Sequence, residues 1–529
     1  MAIKFRFPRR AAMTLKALFS FSFLYMLFAL PALRTEESGP LNGGLFTEGL
    51  TAESRLFNTG ESLNLDEITK LALTRNLDIG MLQLQNQGEG FEIDVSKSIY
   101  DSRFNMFAEH VHDREQTPNI VLGDRQVHGI AGFSIEKTLP TGTWVKVEGA
   151  TERNSTNSAF VTLSRYYDSH GSLEFNQPLL KNAFGYINRK RVQQVKINVK
   201  RFDYQTLDGI EDLLYGIRLQ YWDLKFAFEN LRARMKALRK AQDFFQITHD
   251  KLDVGLTEKP DLFAAEANVR TRVLEVWEAE NEVKSKSENM RILLNLPEVP
   301  LVYPSEELTF KPVEIDVNKA LQEAYENRRD LKQLEMALES QTIEKKIRSN
   351  ERLPDFSFEG GYTSNGLDRK MSNSQGEVFG FEHPRYYSGF HFSASLENRE
   401  ARGRFSQAEI EHKRLEKETQ KLKLNIRRQV EDSHRGLLLA AERVRQTENI
   451  TALQFKKNFE EERNFNRGRS SSKTIIDFQD DLIEAEINNI RALMMYNRAL
   501  EDFYRSTHGL IAKAGIEAGT MPPEINFAG

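Results

Sequence analysis

Apolar residues that recur at every seventh position, from Ile210 to Leu252, are the strongest constraint on the fold of this chain. A second apolar row follows the first one four positions later, as in a helix packed along another helix. The two rows consist of Ile210, Ile217, Leu224, Leu231, Leu238, Phe245 and Leu252, and of Leu214, Tyr221, Phe228 and Met235. A helix that continues from Phe184 to Leu252 would be roughly 100 Å long. The segment therefore predicts a rod rather than part of a compact domain.

A second helix is predicted to return along this rod after a turn at Gly255. It opens at Pro260, and its apolar positions are again seven residues apart until it ends near Pro297. The later part of the chain repeats this plan around Gly468. The apolar positions are Leu262, Val269, Val276, Val283 and Met290 in the first case, and Leu415, Leu422, Val430, Leu437, Val444, Ile476, Ile483, Ile490 and Leu493 in the second. We therefore predict two long antiparallel helical hairpins.

An internal duplication organises the chain. Residues 65–79 align without gaps on residues 317–331, and short helix, strands and long hairpin then follow in the same order. The predicted segments are a linker (33–62), a first repeat (63–314, strands about 103–176, hairpin about 184–295), a second repeat (315–515, strands about 355–396, hairpin about 402–510) and a tail (516–529).

Composition agrees with long helices that expose polar faces. Charged residues make up 28% of the 529 residues, and the mean hydropathy is −0.54. The absence of cysteine excludes disulfides, thiolate metal sites and a cysteine nucleophile. A net charge of −4 provides no basic surface, so nucleic acid is not an expected partner.

The amino terminus has the pattern of a secretory signal peptide, which we place at residues 1–32. Residues 1–16 carry five basic side chains and no acid, and an apolar run then extends from Ala17 to Leu30. This run is shorter than the roughly 20 residues that a membrane-spanning helix needs. We expect export followed by cleavage, with an uncleaved anchor as the alternative.

Two segments of the second repeat alternate between aromatic and small or polar residues, as β-strands do. Phe356, Phe358, Phe390 and Phe392 lie on one predicted face. The first repeat offers similar strands near Phe104–Val111 and Leu173–Asn176, and between them a candidate hairpin, Ile130–Glu136 with Thr143–Glu148. Strands of about ten residues with this alternation are typical of membrane β-barrels, in which the four phenylalanines would face lipid. The edge of a soluble β-sandwich is the alternative.

Two strand hairpins per chain would supply four membrane-spanning strands. An open sheet in hydrocarbon leaves the backbone N–H and C=O groups of its edges unpaired, at several kcal/mol for each group. About eight strands are needed for the smallest closed barrel. The chain is therefore expected to close a barrel with copies of itself, around a water-filled bore.

Four segments resemble the TolC-type outer-membrane efflux proteins, or outer membrane factors, and the resemblance covers residues 63–515. They are the strand-to-helix junctions Asn176–Gly185 and Leu396–Gly403, and the hairpin turns Val254–Leu262 and Asn466–Asp477. The resemblance implies a mainly α-helical fold with a membrane β-barrel, closed as a homotrimer with four strands per chain and twelve in all. It also implies a helical tunnel into the periplasm that docks to a periplasmic adaptor protein and an inner-membrane transporter.

The resemblance also implies where a gate would lie. In the family, acids just after the second hairpin turn constrict the tunnel, and these positions fall on Thr474 and Asp477, with Asp480 and Asp481 close by. The family further links an acid after the first turn, here Asp261, to a basic residue after the second glycine. Ser470 occupies that basic position, so Arg467 and Arg469 are the candidate partners.

No catalytic motif accompanies these features. The sequence lacks a glycine-rich phosphate loop, a His-Glu-x-x-His motif and a Gly-x-Ser-x-Gly motif, so we expect neither an enzyme nor a cofactor or metal. The favoured function is an outer-membrane exit duct for efflux or type I secretion, surrounded by outer-membrane lipid. A periplasmic coiled-coil scaffold held by its uncleaved signal is the main alternative. A diffusion porin is disfavoured because roughly half the chain is predicted as long helix.

Overall fold

The structure is a computed structural model, and it describes residues 60–114, 125–158 and 160–510. The predicted signal peptide (1–32) and carboxy-terminal tail (516–529) lie outside these residues, as does nearly all of the predicted linker. The described residues form ten α-helices and eight strands.

Two helices of 68 residues each dominate the fold, α4 (Tyr186–Asp253) and α9 (Arg399–Asn466). Each returns through a 35-residue helix, α5 (Lys259–Leu293) after α4 and α10 (Ser472–Ser506) after α9. The remaining helices are short: α1 (Leu65–Arg75), α2 (Leu77–Gly90), α3 (Glu92–Lys97), α6 (Val317–Asn327), α7 (Arg329–Asn350) and α8 (Met371–Gly380). No helix in the described ranges is apolar over enough residues to traverse a membrane.

Helix α4 lies at the centre of the helical part. It packs against α5 and α10 along one half of its length and against α2, α3 and α7 along the other. Every residue of its two predicted apolar rows is buried except Leu252, which is half-buried near the turn. The seven-residue spacing therefore marks the contact surface of α4 with its neighbours, as the sequence predicted.

Buried ion pairs join the two repeats. Arg218 of α4 donates to both carboxylate oxygens of Glu501 in α10 at 2.7 and 2.8 Å, and its third nitrogen donates to Thr69 of α1 at 3.0 Å. Arg329 of α7 forms a second buried pair between the repeats, with Glu211 of α4. Burial raises the pKa of the Glu211 carboxyl, and Arg329 partly offsets this effect. Removing one member would leave an uncompensated charge in the core, so these pairs fix how the repeats dock.

The strands form two sheets. A short parallel pair joins β1 (Glu61–Leu63) to β6 (Val302–Pro304). The large sheet is antiparallel and six-stranded, in the order β2-β3-β4-β5-β7-β8. Its strands are β2 (Arg103–Asp113), β3 (Gln126–Thr138), β4 (Trp144–Thr156), β5 (Arg165–Pro178), β7 (Asp355–Asp368) and β8 (His383–Ser393).

Six strands per chain correct the four that the strand pattern and the family resemblance predicted. The two additional strands, β3 and β4, contain the candidate hairpin that the alternation around Ile130–Glu136 and Thr143–Glu148 indicated. The hairpin enters the sheet because β3 pairs with β2 and β4 pairs with β5 along nearly their whole lengths. Because both of its strands form backbone hydrogen bonds with neighbouring strands, the hairpin is part of the sheet and not a loop outside it.

The turn of the additional hairpin is wedged against the start of α4. Gly142 and Gly185 have φ angles of 78° and 71°, and a Cβ on Gly185 would lie 2.5 Å from the Pro140 carbonyl oxygen. Arg189 of α4 donates to the same oxygen at 3.1 Å. Gln177, at the end of β5, accepts from Thr143 at 2.5 Å. The junction between sheet and helices therefore depends on two glycines in close contact.

Helix α8, which the sequence did not predict, folds back over the half of the sheet that lies farther from the long helices. Ser374 donates to the Gly366 carbonyl at 2.7 Å, and Ser364 donates to the Val378 carbonyl at 2.7 Å. Phe379 and Phe381 remain exposed beyond the covered strands. Local sequence alone does not specify this helix, because its contacts are with β5 and β7.

We predict that Gly185→Ala destabilises the protein more than Gly468→Ala does. Both glycines have left-handed backbones, so each alanine adds strain of about 1–2 kcal/mol. A Cβ at Gly468 meets no atom within 4 Å, whereas one at Gly185 overlaps the additional hairpin. Thermal unfolding followed by circular dichroism should show the lower midpoint for Gly185→Ala. Equal midpoints would contradict the wedge at the junction.

Candidate pore wall and helix-hairpin tips

The large sheet has one apolar and one polar face. Because residues in register point to the same side, the pairing places Phe104, Phe133, Val147, Leu173, Phe358 and Phe390 together, and we call this side the apolar face. The polar face carries six glutamates: Glu109, Glu136, Glu148, Glu152, Glu174 and Glu359. A sheet with this distribution separates a nonpolar from an aqueous environment.

The four phenylalanines predicted to face lipid all lie on the apolar face, where they form one cluster. Phe356 stacks on Phe390 with ring centroids 5.6 Å apart, and Phe358 lies 5.1 Å from Phe390. Phe390 and Phe392 belong to β8 and are 68% and 62% exposed, so this aromatic surface has no cover in the single chain.

Side chains on the polar face bind one another within and across the strands. Lys146 pairs with Glu148 at 2.6 Å, and His170 approaches the other oxygen of Glu148 at 3.4 Å. Asn176 donates to Glu359 of β7 at 2.8 Å and so links the two repeats. The face is a hydrogen-bonded polar surface with an excess of acids.

The helix-hairpin turns lie where the sequence places them, at Gly255 and Gly468. Both glycines adopt left-handed backbones, with φ angles of 72° and 73°. The residue after each glycine donates its N–H back into the helix, Leu256 to the Lys251 carbonyl at 2.8 Å and Arg469 to the Asn464 carbonyl at 2.9 Å. These are the hydrogen bonds of a helix that ends on glycine and reverses.

The candidate gate residues have different partners. Thr474 is engaged in capping α10, since its N–H donates to the hydroxyl of the N-cap Ser471 at 3.3 Å. Asp481 pairs with Lys457 of α9 at 2.6 Å, inside its own hairpin. Asp477 is exposed, and it belongs to no ion pair among the residues that the structure describes. Of the candidate acids, Asp477 therefore has its charge most open to solvent.

Asp480 binds across the repeats. It pairs with Arg272 of α5, which is buried and also pairs with Glu275 at 2.9 Å. Arg234 of α4 approaches the same oxygen of Glu275 at 2.8 Å. Burial raises the pKa of the Asp480 carboxyl, Glu275 and Asp477 raise it further, and Arg272 opposes them. Arg272 was not identified from the sequence. Its position three residues after Val269, on the buried face of α5, was the signal that could have identified it.

The candidate latch residues do not meet within the described chain. Asp261 accepts a hydrogen bond from Thr257 at 2.8 Å, in its own turn. Arg467 and Arg469 are both exposed at the end of α9. The tips are joined instead by Lys251, whose ammonium group donates to the Phe465 carbonyl at 3.0 Å and lies 3.7 Å from the centre of the Phe465 ring. A cation at the carboxyl end of α9 is also favoured by the helix dipole.

The molecule has two open edges that differ from each other. One edge consists of β2, α2–α3 and α5, and the other of β8 and α9. Both carry exposed apolar residues at helical spacing. They are Leu77, Met81, Leu84, Phe91, Val95, Phe263, Leu274 and Trp277 on the first edge, and Ile410, Leu424, Leu438, Leu439 and Leu453 on the second. Unlike edges of this kind permit head-to-tail contacts between identical copies.

No protein-family model matches the sequence, and none of the curated proteins matches it. Solved structures do. CusC aligns with a TM-score of 0.64 and 12% identity over 85% of this chain and 94% of its own. The Campylobacter jejuni CmeC outer membrane channel aligns with a TM-score of 0.62 and 13% identity over 94% and 99%.

The open state of the Neisseria gonorrhoeae MtrE outer membrane channel aligns with a TM-score of 0.60 and 11% identity, over 87% of this chain and 90% of its own. Sequence identity is low in all three cases, and the agreement concerns the path of the backbone. The chain therefore has the fold of the TolC-type channels, as the resemblance in its sequence implied.

We predict that Arg272→Met loosens the contact between α5 and α10. The substitution keeps the buried stem but removes the cation beside Asp480, at a cost of about 1.5 kcal/mol. Amide hydrogen exchange in residues 472–485 should then accelerate by about tenfold. Lys457→Met is the matched control, because it breaks a half-exposed pair with Asp481 that contributes less than about 1 kcal/mol. Equal acceleration of exchange in both variants would contradict the prediction that Arg272 holds α5 against α10.

Proposed function

We propose that the protein is an outer-membrane exit channel that assembles as a homotrimer and passes solutes from the periplasm to the exterior. The observation that carries the proposal is a sheet with an apolar and a polar face, joined directly to two helices of 68 residues. Such helices extend roughly 100 Å. A membrane-spanning sheet that continues into helices of that length is suited to a channel that also extends through the periplasm.

The open edges support assembly into a ring. Each edge is continuous from the sheet into the helices, and the apolar residues on the two edges are solvent-exposed in one chain. Head-to-tail contacts between them would bury both sets and pair the strand edges in the same step. The count of three rests on the family resemblance.

The polar face would then line the bore, and the apolar face would contact outer-membrane lipid. A periplasmic scaffold is disfavoured on this point, because it would leave Phe390 and Phe392 in water on a continuous aromatic surface. An enzyme is disfavoured because the polar face is a surface of mutually bonded side chains along a wall.

The helix-hairpin tips are the proposed docking and gating end. A periplasmic adaptor protein and an inner-membrane transporter would meet the duct there, as part of an efflux or type I secretion system. Asp477 is the proposed gate residue, since one exposed carboxylate per copy would place three like charges around the axis.

We predict that the purified protein forms channels in planar bilayers and that Asp477→Ala weakens their block by multivalent cations. Loss of three axial charges removes the attraction for such ions, and a severalfold rise in blocking concentration is expected. Asp481→Asn is the control, because Lys457 already neutralises that carboxylate. Channels with unchanged block would remove Asp477 from the gate, and the absence of any conductance would contradict the channel itself.

We predict that Phe390→Arg impairs membrane insertion whereas His391→Arg does not. The two residues are adjacent and exposed in β8, but they lie on opposite faces of the sheet. An arginine on the lipid side costs about 2–4 kcal/mol at the bilayer midplane and less towards its borders. The amount of heat-stable trimer in the outer-membrane fraction measures the effect. Normal trimer levels for Phe390→Arg would show that the apolar face is not the lipid face.

A further inference from the structure

We propose that every copy contributes all six strands to the membrane wall, so that the trimer closes an eighteen-stranded barrel through β2–β8 seams between copies. The inference rests on the ring assembly of the proposed function, and it replaces the twelve strands that the family resemblance implies. It is specific to this chain because the β3–β4 hairpin enlarges the sheet.

Strand direction favours this closure. Neighbouring strands alternate in direction across the sheet, so with six strands β2 and β8 run in opposite directions. A head-to-tail contact between copies then sets β8 antiparallel to the β2 of the next copy, which continues the pattern of the whole wall. The two strands also match in length, with eleven residues each.

The two edges leave backbone groups that need partners. Each of these strands has a neighbour on one side only, and both are exposed along nearly their whole lengths. An unpaired backbone group in hydrocarbon costs several kcal/mol, and eleven-residue edges carry several such groups each. A second copy of this chain supplies the complementary edge in the required direction.

The side chains of the two edges are compatible on both faces. On the apolar face, β2 presents Phe104 and Met106, and β8 presents Phe390 and Phe392. On the polar face, β2 presents Glu109 and β8 presents Arg385, which have opposite charges. A seam between copies would therefore continue the aromatic surface at Phe104 and Met106, and it would place an acidic and a basic side chain on the same polar face.

The additional hairpin is held as firmly as the other strands. Its two strands pair with each other over all thirteen residues, and its turn, which contains Gly142, is wedged against Gly185. A barrel of twelve strands would require this hairpin to leave the sheet and break the pairing on both of its sides. The structure thus supports a wall that keeps all six strands of each copy.

Eighteen strands make a wide bore. With strands about 4.8 Å apart and tilted by about 40°, the barrel would be roughly 36 Å across, against roughly 24 Å for twelve strands. Barrels of this strand number leave an aqueous channel inside. The helical end, and not the membrane wall, would then determine which solutes pass.

Cysteine cross-linking tests the seam in the full-length protein, which has no native cysteine. Glu109→Cys on β2 is combined in turn with Arg385→Cys, Tyr387→Cys and Gly389→Cys on the polar face of β8. The matched controls combine it with Tyr386→Cys and Ser388→Cys, whose side chains lie on the apolar face. After oxidation in membranes, at least one polar-face pair should give covalent dimers and trimers, at about ten times the yield of either control.

Native mass spectrometry of the same variants separates the two proposals. Trimers with polar-face cross-links support the eighteen-stranded barrel. Trimers in which no polar-face pair exceeds the controls would overturn the β2–β8 seam while leaving the exit channel standing. Monomers without cross-links would overturn both the seam and the ring assembly of the proposed function.

Discussion

The burial of one face of α4 along its whole length is the constraint on which the rest of the structure depends. Residues from Ile210 to Phe245 pack at seven-residue spacing against α5, α7 and α10, so helices from both repeats share one axis. The ion pairs of Arg218 and Arg329 then set the rotation of the second repeat on that axis. With the rod fixed, the strands that precede α4 and those that precede α9 are brought side by side in one sheet.

The duplicated halves have become unequal in their surroundings. Helix α4 is enclosed by its own chain, whereas α9 of equal length exposes Ile410, Leu424 and Leu453. Because the two repeats have different surroundings, the two open edges of the molecule differ from each other and are not related by symmetry. Unlike edges of this kind favour head-to-tail contacts between copies over contacts between like edges.

Periodic features could be predicted from the sequence because each is repeated many times along one element. The helical rods, the glycine turns and the alternating strands are of this kind, and even the β3–β4 hairpin was indicated by its alternation. The number of strands was wrong because only two strand hairpins per chain were counted, although the alternation also indicated a third. The Arg272–Asp480 pair and the Lys251–Phe465 contact could not be predicted, since each depends on how residues more than 200 positions apart are rotated towards one another.

Helix α8 explains an irregularity in the strand pattern. Ser169 and Ser364 point to the apolar side of the sheet, yet both are 2% exposed because α8 lies over them. The Ser169 hydroxyl bonds to that of Thr151, and the Ser364 hydroxyl donates to the Val378 carbonyl, so both have partners within the chain. Counting alternate strand residues would assign these serines to the exposed apolar face. The exposed aromatic side chains over this part of the sheet are Phe379 and Phe381, at the end of α8 and directly after it.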